Sequence, residues 1–461
     1  MEKGEKMNLK KFLIVGFGAL FFMGLIAGAD KGYAQSNQEI MEKIEKLQKV
    51  IENQQTEIQN LQKQLGNKLD TSKADSLKEE LQASVKKEVK EETGKFQLPE
   101  WTKRIKFSGD LRLRWEDRQD LKTYTQDPKT GKYKETATYN RDQFRFRLRL
   151  FFDATLSEEF SAVASFGSST PLAGTADNTT TVSNATFTNE FNQKPDYILL
   201  AYARYQPKWL EGLQFYGGKF KPPWVHTDMF FDPDTAVEGF YEGYRFGKFK
   251  PFQPFANLGQ FVVNEVPTSA EAMMYLYQLG FVSDFEVAKF TLAGSYYDWR
   301  DMGSSRIGST AFGGGFGNTV DSAGKLIYDY KVMSLIGYLD FKIGKFPLRL
   351  FGEYAKNNAD KVKYNTAWNA GFNFGKIEKP CDWEFMYKYV YIENDAVVGA
   401  FADGDFYFAN REGNKFMFTY RLLKFLDFRS TYFITDMVNK TASKPNGDPD
   451  HRLQVDFIFR W

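Results

Sequence analysis

The chain has 461 residues and is 17% aromatic, with 45 Phe and 25 Tyr. Its mean hydropathy of −0.49 is too polar for a helical membrane protein, and its net charge of +2 does not indicate a nucleic-acid binder. A single cysteine excludes an intramolecular disulfide and a cysteine-rich metal site. His226 and His451 are the only histidines, which is too few to favour a histidine-based metal site or a catalytic triad. We therefore expect no cofactor, no bound metal and no catalytic residues.

The first 34 residues have the pattern of a secretory signal peptide. Lys10 and Lys11 precede the apolar run Phe12–Ala29, and Gly32-Tyr33-Ala34 supplies small residues at the cleavage-critical positions. The alternative is a transmembrane anchor, which the shortness of the run and the cleavage-like site disfavour.

Residues 35–98 are predicted to be helical. Within Ser36–Leu65, seven of the eight heptad core positions are apolar, which is typical of a coiled coil. A second amphipathic helix is predicted over Ser76–Glu92. The alternative is a lone amphipathic helix packed against the rest of the protein.

From Trp101 the hydrophobic period changes from helical to two. In Arg141–Ala154, for example, apolar side chains alternate with arginines. A β-strand sends alternate side chains to opposite faces, so one face of this segment is apolar and the other is cationic. An apolar face in contact with lipid and a charged face around water indicate a transmembrane barrel. We therefore predict that residues 101–461 form an all-β barrel with a water-filled interior.

The same alternation predicts sixteen antiparallel strands joined by alternately short and long connections. This alternation, together with an even strand count, is typical of a bacterial outer-membrane barrel, and sixteen strands enclose a channel. The predicted strands are Ile105–Glu116, Arg141–Ala154, Phe160–Ser168, Asp196–Gln206, Leu213–Phe220, Val237–Phe246, Phe252–Val263, Glu271–Val282, Ala288–Trp299, Tyr330–Ile343, Pro347–Lys356, Thr366–Gly375, Asp382–Glu393, Asn414–Leu422, Leu426–Asp436 and His451–Trp461. Segment Arg118–Asn140 is predicted to be one of the long loops.

Two segments resemble a known family. The strand that ends at Trp461 alternates and finishes on an aromatic residue, as the final strands of outer-membrane barrels do, although phenylalanine is their usual last residue. Residues Gly217–Trp224, with Phe231–Asp234 and Glu238-Gly239, resemble the strand-and-loop motif of the putative porins of diderm bacteria. The resemblance implies a general-porin-like barrel of sixteen strands in the outer membrane.

Arginines dominate the polar face of the first two strands and the last strand. A charged side chain that faced lipid at mid-membrane would cost about 2–4 kcal/mol, so these arginines are predicted to line the pore. Interleaved carboxylates leave two interpretations open, a salt-bridged lining and a positive ladder that favours anions. The predicted pore-lining residues are Arg112, Arg114, Arg145, Arg147, Arg149, Arg452 and Arg460.

The third long connection, Lys221–Ala236, is the candidate constriction loop. Resemblance to general porins implies that it folds into the barrel and turns its carboxylates towards the arginines, which would create a transverse field. Its candidate residues are Trp224, His226, Asp228, Asp232 and Asp234. His226 and Asp228 could also be read as a catalytic pair, but a structural histidine is the better interpretation. Asp403-Gly404-Asp405 fits turn chemistry better than a surface calcium site.

These expectations describe a non-enzymatic porin of the outer membrane of a diderm, Gram-negative bacterium. It would pass small hydrophilic solutes by diffusion, possess a modest anion preference and form a homotrimer in contact with lipid and lipopolysaccharide. The coiled coil would lie in the periplasm and could contact peptidoglycan. Three alternatives stay open: a channel specific for phosphate or a sugar, a barrel that anchors a structural tether, and a barrel enzyme.

Overall fold

A computed structural model describes residues 56, 100–126, 133–168, 184–187, 193–247, 251–265, 270–304, 315–440 and 449–461. Apart from Thr56, they belong to a unit that spans Pro99–Trp461. The predicted signal peptide over 1–34 and the predicted coiled coil over 35–98 lie outside the described residues, again apart from Thr56. No helix within the described ranges is long and apolar enough to cross a membrane.

Sixteen antiparallel strands form a closed barrel, in which each strand pairs with its neighbours in the chain and the last pairs with the first. One further strand, β4 (Ala185–Thr186), is two residues long and pairs with β2 (Tyr133–Thr155) inside this order. The strands are β1 Ile105–Gln126, β2 Tyr133–Thr155, β3 Phe160–Ser168, β4 Ala185–Thr186, β5 Asp196–Tyr205, β6 Leu213–Phe220, β7 Val237–Arg245, β8 Phe252–Asn264, β9 Ala272–Asp284, β10 Ala288–Arg300, β11 Tyr330–Ile343, β12 Phe346–Asn357, β13 Thr366–Gly375, β14 Trp383–Ile392, β15 Arg411–Leu423, β16 Leu426–Asp436 and β17 Asp450–Arg460.

The predicted strand count is confirmed, but the first hairpin is longer than expected. Segment Arg118–Asn140 was predicted to be a loop, and most of it belongs to β1 and β2. The register between these strands shifts after Arg118, yet pairing resumes at Leu121 and Tyr139 and continues to Gln126 and Tyr133. A β-bulge allows a ladder to continue beyond such an irregularity. The loss of clean alternation therefore indicated a bulge and not the end of a strand.

The two faces of the barrel wall differ in the way the alternation predicts. On β1, Arg114 is 5% exposed on the inner side, whereas Leu113 is 41% exposed on the outer side. Aromatic side chains cluster on the outer face of β13 and β14, where the ring of Trp368 stacks on that of Tyr389 at a centroid distance of 5.3 Å. Rings of this kind form girdles at the membrane interfaces of barrels.

The barrel closes along the seam between β1 and β17. At one end of the seam, the backbone amides of Gly109 and Trp461 each donate a hydrogen bond to the other's carbonyl oxygen, over 3.2 Å in both directions. A Cβ atom at residue 109 would lie 2.5 Å from the ring of Trp461. Glycine therefore leaves the space in which the terminal indole covers the seam.

Candidate functional site

Arginine side chains line the inner face of β1, β2 and β17. Arginines are directly opposite each other at three positions of the described β1–β2 ladder, Arg112 with Arg147, Arg114 with Arg145 and Arg118 with Arg141. Like charges in this position destabilise a sheet unless carboxylates are inserted between them. The name arginine wall is used below for Arg112, Arg114, Arg145, Arg147, Arg149 and Arg452, each of which is buried or half-buried.

The seventh predicted arginine, Arg460, belongs to a different environment. It follows the same inward alternation on β17, but its side chain is 42% exposed near the short turn between β15 and β16, and it pairs with Asp427. The structure therefore separates Arg460 from the arginine wall.

Arg114 is held by carboxylates from two elements. Its Nε donates to Oδ1 of Asp456 on β17 over 2.7 Å, and its Nη1 lies 3.0 Å from Oδ2 of Asp405. Nη1 of Arg452 lies 3.2 Å from Oδ1 of Asp405. Burial raises the pKa of Asp405, but the guanidiniums of Arg114 and Arg452 outweigh this effect and hold it well below its usual value. Asp405 therefore stays ionised and bridges two strands of the wall.

Arg147 and Arg149 share two carboxylates. Asp110 on β1 lies 3.1 Å from Nη2 of Arg147 and 2.7 Å from Nη2 of Arg149. Asp234 lies 3.2 Å from Nη1 of each arginine. Burial raises the pKa of Asp234, but Arg147 and neighbouring guanidiniums lower it below its usual range. One end of the segment Lys221–Ala236 is therefore bound to the arginine wall.

The middle of this segment is bound to other strands. Oε2 of Glu353 on β12 accepts hydrogen bonds from the backbone N–H of Thr227 over 3.0 Å and from its hydroxyl over 2.6 Å. The side-chain amide of Asn369 on β13 donates to the same hydroxyl over 2.7 Å. Gln278 on β9 accepts from the N–H of Val225 and donates to its carbonyl. Contacts with both β2 and β13 show that the segment crosses the interior of the barrel.

Only one of its three carboxylates faces the arginine wall. Asp228 pairs instead with Lys388 on β14 and with Lys415 on β15, whose Nζ lies 3.3 Å from Oδ2. Burial raises the pKa of Asp228, but these two ammonium groups lower it overall. The resemblance implied that the carboxylates of this segment turn towards the arginines; in the structure Asp234 contacts arginines and Asp228 contacts lysines. The lysines lie at inward positions of alternating strands, so the alternation rule could have identified them.

Aromatic side chains attach the segment to the strands. The ring of Phe230 stacks on that of Tyr297 on β10 at 4.6 Å, and the indole of Trp224 lies 5.3 Å from the ring of Phe261 on β8. His226 packs against the ring of Phe231, and burial lowers its pKa. Since the carboxylate of Asp228 is bound by lysines, the geometry does not favour a catalytic pair of His226 with Asp228.

A second inward segment, Asn394–Asn410, was not identified from the sequence. Its backbone meets the first segment, because the N–H of Asp403 donates to the carbonyl of Asp228 over 3.0 Å. The N–H of Asp232 likewise donates to the carbonyl of Phe401 over 2.7 Å. The carboxylate of Asp403 accepts from the N–H of Asp405, as turn chemistry predicts, and it also pairs with Lys415 at 2.6 Å. Asp403 and Asp405 are thus interior residues and not surface residues.

Two further titratable groups of the first segment, Asp232 and Lys221, also have shifted pKa values. Burial and the nearby carboxylate of Asp403 raise the pKa of Asp232 well above its usual value. Burial lowers the pKa of Lys221 to about 8, although the carboxylate of Asp234 acts in the opposite direction. Protonation of these groups therefore sets part of the charge around the wall. Within the described ranges, no three His, Cys, Asp or Glu residues are arranged to hold a metal ion.

Comparison with known families identifies this architecture. Residues 25–323 and 318–444 match the model of the family described as Putative porin. The chain belongs to the Putative porin family. It is a transmembrane β-barrel channel of the outer membrane of a Gram-negative bacterium.

Solved outer-membrane barrels resemble this porin over most of its length. Pseudomonas putida OprB, in a high-pH structure, is 9% identical, with 78% of this chain and 95% of that chain covered and a TM-score of 0.49. The outer membrane channel DcaP of Acinetobacter baumannii is 13% identical, with 77% and 97% covered and a TM-score of 0.43. Salmonella typhi OmpF, in complex with daunomycin, is 12% identical, with the same coverages and the same TM-score. A search of curated proteins finds no match.

Proposed function

We propose that this porin is a passive diffusion channel for small hydrophilic solutes with a modest preference for anions. The proposal rests on the balance of positive and negative charges between the arginine wall and its carboxylate partners. Among the described residues, five of the six guanidiniums contact carboxylates, namely Asp110, Glu116, Asp234, Asp405 and Asp456, and Arg112 contacts none. The remaining positive charge faces the region between the strands and the two inward segments. Rings of fixed charge beside a narrow passage select ions by sign.

The two inward segments support diffusion through a fixed constriction. Thr227 and Asp228 bind strands on one side of the barrel, and Asp234 binds β2 on the other. A segment bound near its middle and near one end cannot move aside without breaking several enclosed ion pairs, each of which is costly to break. The passage would therefore have a constant cross-section, as an ohmic pore requires.

We further propose that three copies of the chain associate through β6 and β7. On the outer face of these strands, Lys219 pairs with Glu238 directly opposite, and Glu242 also projects outwards. Charged side chains that faced lipid would cost up to about 2–4 kcal/mol each near mid-membrane. A neighbouring subunit would cover them. Light scattering in detergent should then give the mass of a trimer, and a monomeric mass would contradict this part of the proposal.

The main test is the reversal potential of purified protein in a planar bilayer under a KCl gradient. We expect large ohmic steps and a reversal potential on the chloride side. A cation-selective channel would overturn the anion preference and leave passive diffusion intact. A protein that inserts but does not conduct would overturn passive diffusion itself.

A further inference from the structure

Arg112 stands apart from the other guanidiniums of the arginine wall. Every other member lies within 4 Å of at least one carboxylate, but among the described residues no carboxylate approaches Arg112 so closely. Its side chain is nevertheless enclosed, and the residue is only 7% exposed. A buried charge without an opposite charge is strongly unfavourable. The excess positive charge of the wall is therefore concentrated at this residue.

Hydrogen-bond donors around Arg112 are also unused. The Nε atoms of Arg112, Arg145, Arg147 and Arg452 are enclosed and have no hydrogen-bond partner in the described part of the chain. Arg112 and Arg147 are directly opposite each other on neighbouring strands, so two of these donors belong to adjacent side chains. A guanidinium presents its N–H groups as a planar fork that matches the two oxygens of a carboxylate. The site thus has both the charge and the donors for an oxyanion.

A neutral group of the protein occupies the fork at present. Nη2 of Arg112 donates to Oδ1 of Asn184, which lies next to the short strand β4. Since β4 pairs with Arg145 and Phe146 of β2, the side-chain amide of Asn184 is positioned by the wall itself. The amide has the shape of a carboxylate and supplies one oxygen, but it supplies no charge. It accepts a hydrogen bond from Arg112 but does not neutralise the positive charge of the guanidinium.

We propose that the carboxylate of a small monocarboxylate solute binds at Arg112 by displacing the side-chain amide of Asn184. This inference rests on the proposed diffusion channel and names a solute class for it. Among the described residues Arg112 has no carboxylate partner, so one carboxylate of a solute would supply it. Asp234, bound to Arg147 opposite, and Asp405, bound to the neighbouring Arg114, would repel a second carboxylate. Dicarboxylates should therefore bind more weakly than monocarboxylates.

The test is the chloride conductance of the purified protein in planar bilayers at increasing concentrations of sodium acetate, with sodium succinate as the dicarboxylate. In the wild-type protein, acetate should reduce the chloride current to a plateau, and succinate should need a higher concentration. Arg112→Gln should raise the half-saturating acetate concentration at least tenfold, and Arg112→Lys should restore part of the effect. Equal saturation in the wild type and Arg112→Gln would overturn the site.

A second variant tests the site without relying on the loss of an arginine. Asn184→Asp places a carboxylate of the chain in the fork, so it should abolish saturation by acetate and raise the thermal unfolding midpoint. The matched control is Asn373→Asp on β13, whose side chain lies on the inner face five strands from β1. It should leave acetate saturation unchanged. Linear acetate dependence in a conducting wild-type channel would refute the site alone, whereas the absence of conductance would refute the diffusion channel.

Discussion

Asp234 is the carboxylate whose removal should change ion selectivity most directly. It connects the inward segment to Arg147 and Arg149, and its side chain is 14% exposed, so solvent screens it poorly. Asp234→Asn keeps the size of the side chain and a hydrogen-bond acceptor but removes one negative charge. Of the described carboxylates, Asp110 then remains as the partner of the two arginines. The positive charge available to a passing ion increases by one unit.

The size of the effect follows from Coulomb's law. Two unit charges about 4 Å apart interact by about 1 kcal/mol in bulk water and about 4 kcal/mol at an effective dielectric constant of about 20. Even the lower value corresponds to a factor of roughly five in an equilibrium ratio. We therefore expect Asp234→Asn to raise the chloride-to-potassium permeability ratio at least fivefold.

The assay is the reversal potential under a KCl gradient, measured for matched variants. Asp340→Asn removes the same charge from the inner face of β11, where Asp340 pairs with the half-exposed Arg349 near a short turn. Because solvent and salt screen that site, its permeability ratio should change less than about twofold. Asp234→Glu, which keeps the charge, should resemble the wild type. An unchanged ratio in Asp234→Asn, or a shift towards cations, would refute the electrostatic reasoning.

Two further predictions concern the same inward segment. Because the pKa of Lys221 is lowered to about 8, the wall should lose a positive charge as pH rises from 7 to 9, and anion selectivity should fall. Lys221→Arg should stay selective over this range, and an identical pH profile for both proteins would contradict the assignment. Thr227→Val removes the hydroxyl between Glu353 and Asn369 and should cost about 1–3 kcal/mol, seen as a lower thermal unfolding midpoint. Thr366→Val, whose hydroxyl donates to a neighbouring residue on the outer face, is the control and should change the midpoint little.

The alternation of the sequence was sufficient to predict the sixteen strands and the sides on which their residues lie, but not the length of the first hairpin. Exposure of a charged side chain to lipid costs free energy, so the two-residue alternation of the strand alone places Arg114 inside and Leu113 outside. The same rule, applied to β14 and β15, would have placed Lys388 and Lys415 inside. Lys388 and Lys415 are single inward lysines on their strands, which is a weaker local pattern than the run of three alternating arginines in β2.

The path of the long connections could not be predicted in the same way. Asp403 and Asp405 lie in a short Gly-containing turn, and their local sequence fits a surface turn equally well. Their partners, Lys415 and Arg114, belong to strands that only the closed barrel brings together. Asp228 and Asp234 differ by six positions in the chain, but Asp228 binds lysines of β14 and β15 and Asp234 binds arginines of β2. The partner that each loop carboxylate binds depends on tertiary contacts, which produce no periodic pattern in the sequence.

The seam between β1 and β17 has a consequence for biogenesis. Arg114 and Asp456 face each other across it although 342 positions separate them. Pairing between such distant segments is slow, because the entropy of closing the loop opposes it before any contact forms. Until β17 is in place, the sheet has two free edges that can pair with other chains. A chain that loses β17 would therefore become an open, aggregation-prone sheet, and would not form a slightly smaller pore.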